Sequence, residues 1–259
     1  MDFPFRTGLK LYSTNTDLIP EAILLKNKYL DFVELYIIPG SYDKTINSWK
    51  EFDVPFVIHA PHTGHNVNIA NNEMRKFNIE IYQEVRCFCD ALKSPHIIVH
   101  GGSNGILEEM IFQLKMIGDD RIILENKPMK GLNGESCQGC SPEDFNIVFA
   151  SGALHAMALD FGHAIYYAAC CNLDYREVIE SFMSFSPQIF HLSDGYYDSY
   201  TDVHLNLGKG KFNIKELLNY VPKGSKLTIE TPRVSHNNLN EFAEDVHHLQ
   251  GLVAYNYPS

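Results

Sequence analysis

Short apolar runs alternate with longer stretches of helical periodicity along the chain. Two of these runs, His96–His100 and Arg121–Glu125, carry three apolar residues in succession between polar ends. This pattern is typical of strands that are covered on both faces. We predict eight strands, at Thr7–Tyr12, Phe32–Ile38, Pro55–His59, His96–His100, Arg121–Glu125, His155–Asp160, Gln188–His191 and Lys226–Glu230.

Stretches with apolar residues at helical spacing lie between those runs. One helix start is marked by Ser141-Pro142-Glu143-Asp144, because serine caps a helix, proline suits its first position and acids favour its first turn. We predict helices at Pro20–Leu30, Asn71–Leu92, Ile106–Ile117, Pro142–Ala150, Asp174–Phe185, Ile214–Tyr220 and Leu239–Leu249.

Repeated strand-then-helix units predict a parallel sheet. Eight such units in 259 residues favour a single α/β domain, residues 1–259, folded as a (β/α)8 TIM barrel with its site at the carboxyl ends of the strands. An open sheet that binds a nucleotide would be favoured by a glycine-rich turn after its first strand. Here Ser13–Asp17 contains no glycine, and no Walker-type loop occurs elsewhere.

The composition is that of an ordinary globular protein, with 45% apolar and 20% charged residues and a net charge of −11. This acidic balance argues against nucleic-acid binding by overall charge, although bound divalent cations would offset part of it. The sequence has no secretory signal pattern and no apolar run that would cross a bilayer. Because six cysteines at this length do not indicate a disulfide scaffold, we expect reduced thiols and a cytoplasmic protein that does not bind membranes.

Six consecutive predicted strands deliver an imidazole or a carboxylate at or just after their carboxyl ends. In a barrel these ends and the following loops form one rim, so we expect the side chains to converge. Any one of these residues is explained as the polar boundary of an apolar run, and Asp160-x-x-His163 is explained as a helix cap. The occurrence of nine such residues at one rim is not explained in this way. The nine residues are His59, His100, Glu125, Asp160, His163, His191, Asp202, His204 and Glu230.

Five histidines and four carboxylates suit zinc, manganese or iron, and they exceed the three protein ligands typical of one catalytic zinc. We therefore predict two or three metal ions that share carboxylates. Six positive charges from three divalent ions, set against four carboxylates, leave +2, which suits an anionic substrate. Without metal, we expect the crowded carboxylates to raise one another's pKa.

The motifs around these residues resemble the endonuclease IV family, the type-2 apurinic/apyrimidinic (AP) endonucleases within the xylose-isomerase-like barrels. The resemblance spans nearly the whole chain, in the same order along the strands. The motifs are His59-Ala-Pro, His100-Gly-Gly, Glu125-Asn, Asp160-x-x-His163, His191-Leu-x-Asp, Asp202-x-His204 followed by Leu207-Gly-Lys-Gly, and Glu230-Thr.

This resemblance implies a DNA-repair hydrolase that uses up to three zinc ions to cut DNA at an abasic site. It implies that Glu125 bridges two of the metals and helps to orient the nucleophile. The implied ligand sets are His59, His100 and Glu125; Glu125 with Asp160, His191 and Glu230; and His163, Asp202 and His204.

The rim departs from this family where the family contacts DNA. The resemblance implies an arginine and a Tyr-Leu pair that penetrate DNA from the loops after strands two and three. Here His62 and Thr63 follow the third strand, and Gly40–Trp49 contains no arginine. The remaining candidates for a stacking or phosphate contact in that loop are Tyr42, Lys44 and Trp49, of which we expect Trp49 to pack a helix instead.

Other rim residues complete the predicted site. We assign substrate contacts to His62, His65 and Lys127. Cys137-x-x-Cys140 lies in the loop after the fifth strand, and without a second CxxC it does not predict a zinc site, so we interpret it as an incidental pair.

Two alternatives to the hydrolase remain. Glu125, Asp160, His191 and Glu230 are also the set found in one-metal sugar isomerases and epimerases of the same barrel superfamily. In such an enzyme the catalytic pair Glu125 and Glu230 would move a proton beside the carbonyl of a small, or phosphorylated, sugar. The third hypothesis is a barrel that keeps its ligands for stability or for a partner, although the sequence implies no protein partner. The additional ligands favour the hydrolase, in which metals would activate water to attack phosphorus.

Overall fold

The computed structural model describes residues 3–26, 28–235 and 237–254. Eight parallel strands close into a barrel in chain order, which confirms the (β/α)8 fold class. The predicted domain, residues 1–259, also includes 1, 2, 27, 236 and 255–259, which lie outside the described residues. The strands are β1 (Arg6–Tyr12), β2 (Phe32–Tyr36), β3 (Phe56–His59), β4 (Ile97–His100), β5 (Ile122–Glu125), β6 (Met157–Asp160), β7 (Ile189–Leu192) and β8 (Lys226–Ile229).

The helices form the outer layer of the barrel. No helix among the described residues is long and apolar enough to cross a bilayer, and the six cysteines are free thiols. The helices are α1 (Ile19–Leu25), α2 (Tyr42–Glu51), α3 (Arg75–Ala91), α4 (Leu107–Ile117), α5 (Pro142–Ala150), α6 (Phe161–Cys171), α7 (Tyr175–Met183), α8 (Ile214–Leu218) and α9 (Asn240–Ala254).

The structure corrects the predicted helices in three places. The helix predicted at Pro20–Leu30 ends at Leu25, after which the chain turns back on itself. The segment Gly40–Trp49, interpreted as a loop, contains most of α2, whose buried residues Thr45, Ile46 and Trp49 follow helical spacing within a mostly polar sequence. Helix α6 was not among the predicted helices because it is apolar on nearly every face, with its first eight residues buried.

An apolar plug fills the inside of the barrel. It is a cluster of six buried residues, one from each of β2 to β7, that is separate from the main core. Because alternate residues of a strand face the same side, the residue two positions after each plug residue also points inward, nearer the carboxyl end. The plug residues are Phe32, Val57, Ile98, Ile123, Ala158 and Ile189, and the residues two positions later are Glu34, His59, His100, Glu125, Asp160 and His191.

Strands β1 and β8 continue this layering. Gly8 gives room to the ring of Phe32, since a Cβ at Gly8 would collide with that ring. Two positions beyond Gly8 stands Lys10, and two beyond the buried Thr228 stands Glu230. Every strand therefore contributes one ionisable side chain to a layer above the plug, at the end of the barrel where such folds build their sites.

The long loop between β7 and α8 carries Asp202 and His204, and hydrogen bonds to Asp194 stabilise it. The Asp194 carboxylate accepts hydrogen bonds from four backbone N–H groups at 2.8–3.0 Å. Its backbone also pairs with Leu205 through two hydrogen bonds of 2.9 Å. Because Leu205 directly follows His204, these contacts fix the backbone beside that imidazole. The four donors are Gly195, Gly208, Gly210 and Phe212.

Candidate metal centre

The structure brings all nine residues of the predicted ligand set together at the carboxyl ends of the strands. They form three groups, and within each group one ligand atom per residue lies within 4.8 Å of the others. Glu125 belongs to two groups, so these two adjoin. The first group is His59, His100 and Glu125; the second is Glu125, Asp160, His191 and Glu230; the third is His163, Asp202 and His204.

Backbone carbonyls orient three of the histidines. A carbonyl oxygen only accepts, so the Nδ1 atom of each ring donates and the Nε2 atom is left for the site. Histidines that bind metals are held in this way in other proteins. The pairs are His59 with Ala60 at 2.9 Å, His163 with Asn126 at 2.8 Å, and His204 with Glu230 at 2.6 Å.

Two carboxylate oxygens are each shared by two imidazole Nε2 atoms. In the first group this oxygen is Glu125 Oε2, and in the third it is Asp202 Oδ2. The distances are 3.2 Å to His59 and 3.0 Å to His100 for Glu125, and 3.1 Å to His163 and 2.9 Å to His204 for Asp202.

His191 is oriented by a carboxylate that the sequence analysis missed. Its Nε2 atom donates to Glu34 Oε2 at 2.9 Å, and the same oxygen accepts from Thr228 Oγ1 at 2.7 Å. The Nδ1 atom of His191 therefore faces the second group, 3.2 Å from Glu230 Oε1. The signal for Glu34 was present in the sequence, as an acidic residue in the middle of an otherwise apolar strand.

Among the described residues, four buried polar atoms make no hydrogen bond of normal geometry, and three of them lie in the second group. Asp160 shows how this arises, because its Oδ1 atom caps α6 by accepting from His163 N at 2.7 Å while its Oδ2 atom is left over. Buried polar atoms without partners are rare and costly, and coordination of a cation would satisfy them. The residues thus fit a metal site. The four atoms are Glu34 Oε1, Glu125 Oε1, Asp160 Oδ2 and His191 Nδ1.

Lys10 is the second residue that the sequence analysis missed. Its ammonium forms an ion pair with Glu230 and lies 3.3 Å from Glu34 Oε1. Burial alone would lower the pKa of Lys10, but Glu230 and Glu34 outweigh burial and raise it, so the side chain is charged. The carboxylates of Glu34 and Glu230 also form a possible ligand group with His59. Since Lys10 already lies beside both of those carboxylates, we assign no additional metal to that group.

Neighbouring carboxylates raise the pKa values of Asp160 and Glu230, as predicted, but the net pKa is lowered for three of the four carboxylates. Burial raises the pKa of Glu125, but His100 and His191 outweigh it and hold that pKa well below its usual value. The pKa values of Asp202 and Glu230 are lowered in the same way by neighbouring cations. Only the pKa of Asp160 is raised, chiefly by burial. Imidazoles placed between the carboxylates account for the difference.

Three imidazoles of the site hold protons at neutral pH. Burial lowers the pKa of His163 and of His204, but neighbouring carboxylates outweigh it and raise these pKa values to about 10 and about 9. The pKa of His191 is raised well above its usual value, because Glu230 and Glu34 outweigh its burial. Without metal, protons therefore supply positive charge between the ring nitrogens and the carboxylate oxygens.

A cavity of about 500 Å³ opens above this layer. The three residues predicted to contact substrate, His62, His65 and Lys127, all line it. Tyr12 and Tyr36 form an aromatic part of its wall, with their rings edge to face at 5.4 Å. The sequence analysis missed both tyrosines, which follow Lys10 and Glu34 by two positions and so face inward as well.

Residues 127–139 form a flap over one side of the cavity. Lys127 N donates to Gly139 O at 2.9 Å, and Gln138 N donates to Gly102 O at 3.0 Å, which joins the flap to the loop after β4. Cys137 lines the cavity, and the buried Cys140 donates its thiol to Cys137 O at 3.1 Å. Among the described residues no candidate metal group includes a cysteine, so this pair belongs to the base of the flap.

Helix α2 contributes no side chain to the cavity lining. Trp49 is fully buried and donates its indole N–H to Ser13 O at 2.7 Å, which confirms that it packs a helix. Tyr42 packs against Phe88 of α3, and Lys44 is exposed on α2. None of the three candidates for a stacking contact therefore reaches the site.

Comparison with known proteins shows the fold. No model of a protein family matches the chain. An uncharacterized protein from Methanocaldococcus jannaschii is 25% identical over 200 residues, which are 71% of this chain and 65% of the length of that relative. The structure of a D-tagatose 3-epimerase-like protein has a TM-score of 0.73 and 22% identity, covering 95% of this chain and 97% of that one. Endonuclease IV from Thermus thermophilus has a TM-score of 0.68 and 19% identity, covering 96% of this chain and 99% of that one.

The substitution Glu34→Gln tests the role of Glu34 in orienting His191. Glutamine keeps the shape but loses the charge that holds the imidazole, so we expect zinc to bind the second group about 10- to 100-fold more weakly. Competition with a chromophoric chelator measures this affinity. Glu51→Gln, at an exposed position at the end of α2, is the control. Equal zinc affinity in the wild type and Glu34→Gln would contradict the assignment.

Zinc uptake is expected to release protons from the imidazoles. The pKa values of His163 and His204, about 10 and about 9, lie above neutrality, so these rings must each lose a proton before their Nε2 atoms bind metal. With His191, the release at pH 7 amounts to about three protons per chain. The part released by His163 and His204 declines as the pH rises through 9 to 10, where those two rings lose their protons without metal. Calorimetry in buffers of different ionisation enthalpy measures it, and uptake without proton release would contradict the assignment.

Proposed function

We propose that the protein is a metal-dependent phosphoester hydrolase that holds up to three divalent cations, preferentially zinc. The third group carries this proposal. A one-metal sugar isomerase needs only the second group, whereas His163, Asp202 and His204 form a separate set whose orientation is fixed by Asn126 and Glu230. Nitrogen and oxygen donors without cysteine suit catalytic zinc, with manganese or iron as the other candidates.

The charges of the site suit an anionic substrate. Lys10 and Glu34 cancel each other, so the balance of +2 predicted for three cations and four carboxylates is unchanged. Divalent cations held there would acidify a water and stabilise negative charge on phosphoryl oxygens. Glu125 belongs to two groups and so sets the spacing between them. Lys127, whose Nζ atom lies 3.3 Å from His163 Nε2, brings a further positive charge to the third group.

The sequence resemblance implies DNA with a missing base as the substrate. The fold shared with endonuclease IV is compatible with this, although α2 presents no penetrating residue to the cavity. What the residues of the site support most directly is the reaction class, hydrolysis of a phosphoester. Glu125 and Glu230 act in it as metal ligands, and Glu125 also orients the nucleophile.

A sugar isomerase or epimerase is the second candidate. The second group and the cavity of about 500 Å³ favour it, since this volume is within the range for small-molecule sites. Its mechanism would need Glu125 and Glu230 as proton carriers. Glu230 forms an ion pair with Lys10, and Glu125 Oε2 is shared by two imidazoles. These contacts suit ligands better than proton carriers, so we favour the hydrolase.

The substitution His204→Ala separates the two candidates. Zinc-loaded wild type is expected to hydrolyse an abasic-site DNA duplex or an aryl phosphate, and His204→Ala to lose at least about 100-fold of that rate because the third group is broken. Product release measures the rate. Asp198→Asn, an exposed acid in the same loop, is the matched control and should retain the wild-type rate.

An isomerase would behave in the opposite way. His204 lies outside the second group, so His204→Ala would still exchange the carbon-bound proton of a ketose with deuterated water. Such exchange by the wild type and His204→Ala alike, with no phosphoester hydrolysed by the wild type, would overturn the hydrolase proposal.

A further inference from the structure

We propose that the substrate is a small phosphate monoester, with its phosphoryl group held between the ammonium groups of Lys10 and Lys127, rather than a strand of duplex DNA. This inference rests on the proposed function and names the substrate class of the same site. It is carried by two lysines beside different ligand groups, a cavity of limited volume and an aromatic wall.

Lys127 is a cation without a carboxylate partner in the part of the chain that the structure describes. No carboxylate there lies within 4.0 Å of its Nζ atom, which contacts His163 Nε2 at 3.3 Å. The Lys127 side chain lines the cavity, so its ammonium is open to a ligand there. An anion bound in the cavity would then pair with it.

Lys10 supplies the second ammonium. Two of its three N–H donors face Glu230 and Glu34, which leaves the third for a ligand. The side chain is 24% exposed and lines the cavity beside the second group. Because Glu34 and Glu230 hold it in place, this ammonium is positioned before a ligand arrives. A monoester carries one more negative charge than a diester, and the charge of Lys127, which no described carboxylate within 4.0 Å offsets, matches that extra charge.

The shape of the cavity limits the size of the substrate. The flap covers one side, where Gly131, Leu132 and Cys137 line it, and Tyr12 and Tyr36 line it from β1 and β2. A space of about 500 Å³ suits a phosphorylated sugar or a mononucleotide. The net charge of −11 also opposes the approach of a duplex. Tyr12, 49% exposed, offers an apolar face to the organic part of the ester.

The reaction would be hydrolysis with water as the only co-reactant. The water oxygen forms a bond to phosphorus, and the bond from phosphorus to the ester oxygen breaks with its electron pair on that oxygen. One proton of the water ends on the departing oxygen to give the free alcohol, and the other stays on the inorganic phosphate. No oxidation or reduction takes place.

The test compares three substrates on the zinc-loaded protein: p-nitrophenyl phosphate, bis(p-nitrophenyl) phosphate and an abasic-site DNA duplex. We expect kcat/KM for the monoester to exceed that for the diester by at least about 100-fold, and duplex incision to be slower than monoester hydrolysis. Lys127→Met is expected to lower kcat/KM for the monoester by about 10- to 100-fold, and to change the diester rate by less than about threefold. Lys76→Met, at an exposed position on α3, is the matched control.

A binding measurement keeps the role of the lysines testable apart from turnover. Inorganic phosphate, titrated calorimetrically into the zinc-loaded protein, should bind about 10-fold more weakly to Lys127→Met and to Lys10→Met than to wild type. Duplex incision without monoester hydrolysis would overturn this substrate class and leave the proposed function standing. Equal loss of both activities in Lys127→Met would overturn the monoester assignment. If none of the three substrates is hydrolysed, the proposed function fails and this inference fails with it.

Discussion

Ionisable groups buried at the end of an apolar barrel need cations among them, and this requirement governs the site. The plug of six apolar residues excludes water from below, and each of the eight strands then places one ionisable side chain above it. Five buried or partly buried carboxylates lie there, and within the described part of the chain Lys10 is the one lysine at ion-pairing distance from them. Such groups are stable only when they are paired. In the metal-free protein the pairing comes from Lys10 and from protons on imidazoles, and divalent cations would replace the protons.

The layering is a consequence of strand geometry. In each strand that contributes to the plug, the ionisable residue of the layer above lies two positions after the plug residue. His59 thus follows Val57, and Glu125 follows Ile123. The third group arises differently, since His163 stands in the first turn of α6 and the others in the loop that Asp194 holds. Site residues added from loops and helix starts allow one barrel to carry different chemistries. In the function that we propose, the third group distinguishes a hydrolase from a sugar isomerase, which would need only the second group.

The sequence predicted the fold well because most strands are apolar runs, and those from β3 to β8 carry a polar residue at or next to their carboxyl ends. The positions of the eight strands agree with the structure within two residues. Helix α6 was missed because it is buried on nearly all sides, and periodicity distinguishes a helix only where one face is polar. Six of the nine ligand candidates were visible at or next to strand ends and three in the segments that follow, but which of them share a cation depends on distances that only the closed barrel provides.

The sequence did not identify four residues of the site, which are Lys10, Glu34, Tyr12 and Tyr36. They lie on β1 and β2, whose ends carry no histidine, so no pattern of metal ligands identified these two strands. Applying the two-residue period from Gly8 and Phe32 would have identified Lys10 and Glu34 as inward-facing. The orientation of each imidazole was beyond the sequence, because it depends on carbonyls such as Asn126 O that are distant along the chain.

Anomalous diffraction at the zinc edge, on crystals of the zinc-loaded protein, tests the central claim most directly. The account predicts three peaks per chain, one within reach of each group, with Glu125 between the first two and Lys10 still beside Glu230. A single peak within the second group, with His163, Asp202 and His204 joined only by hydrogen bonds, would contradict the hydrolase and leave the sugar isomerase as the better description of the site.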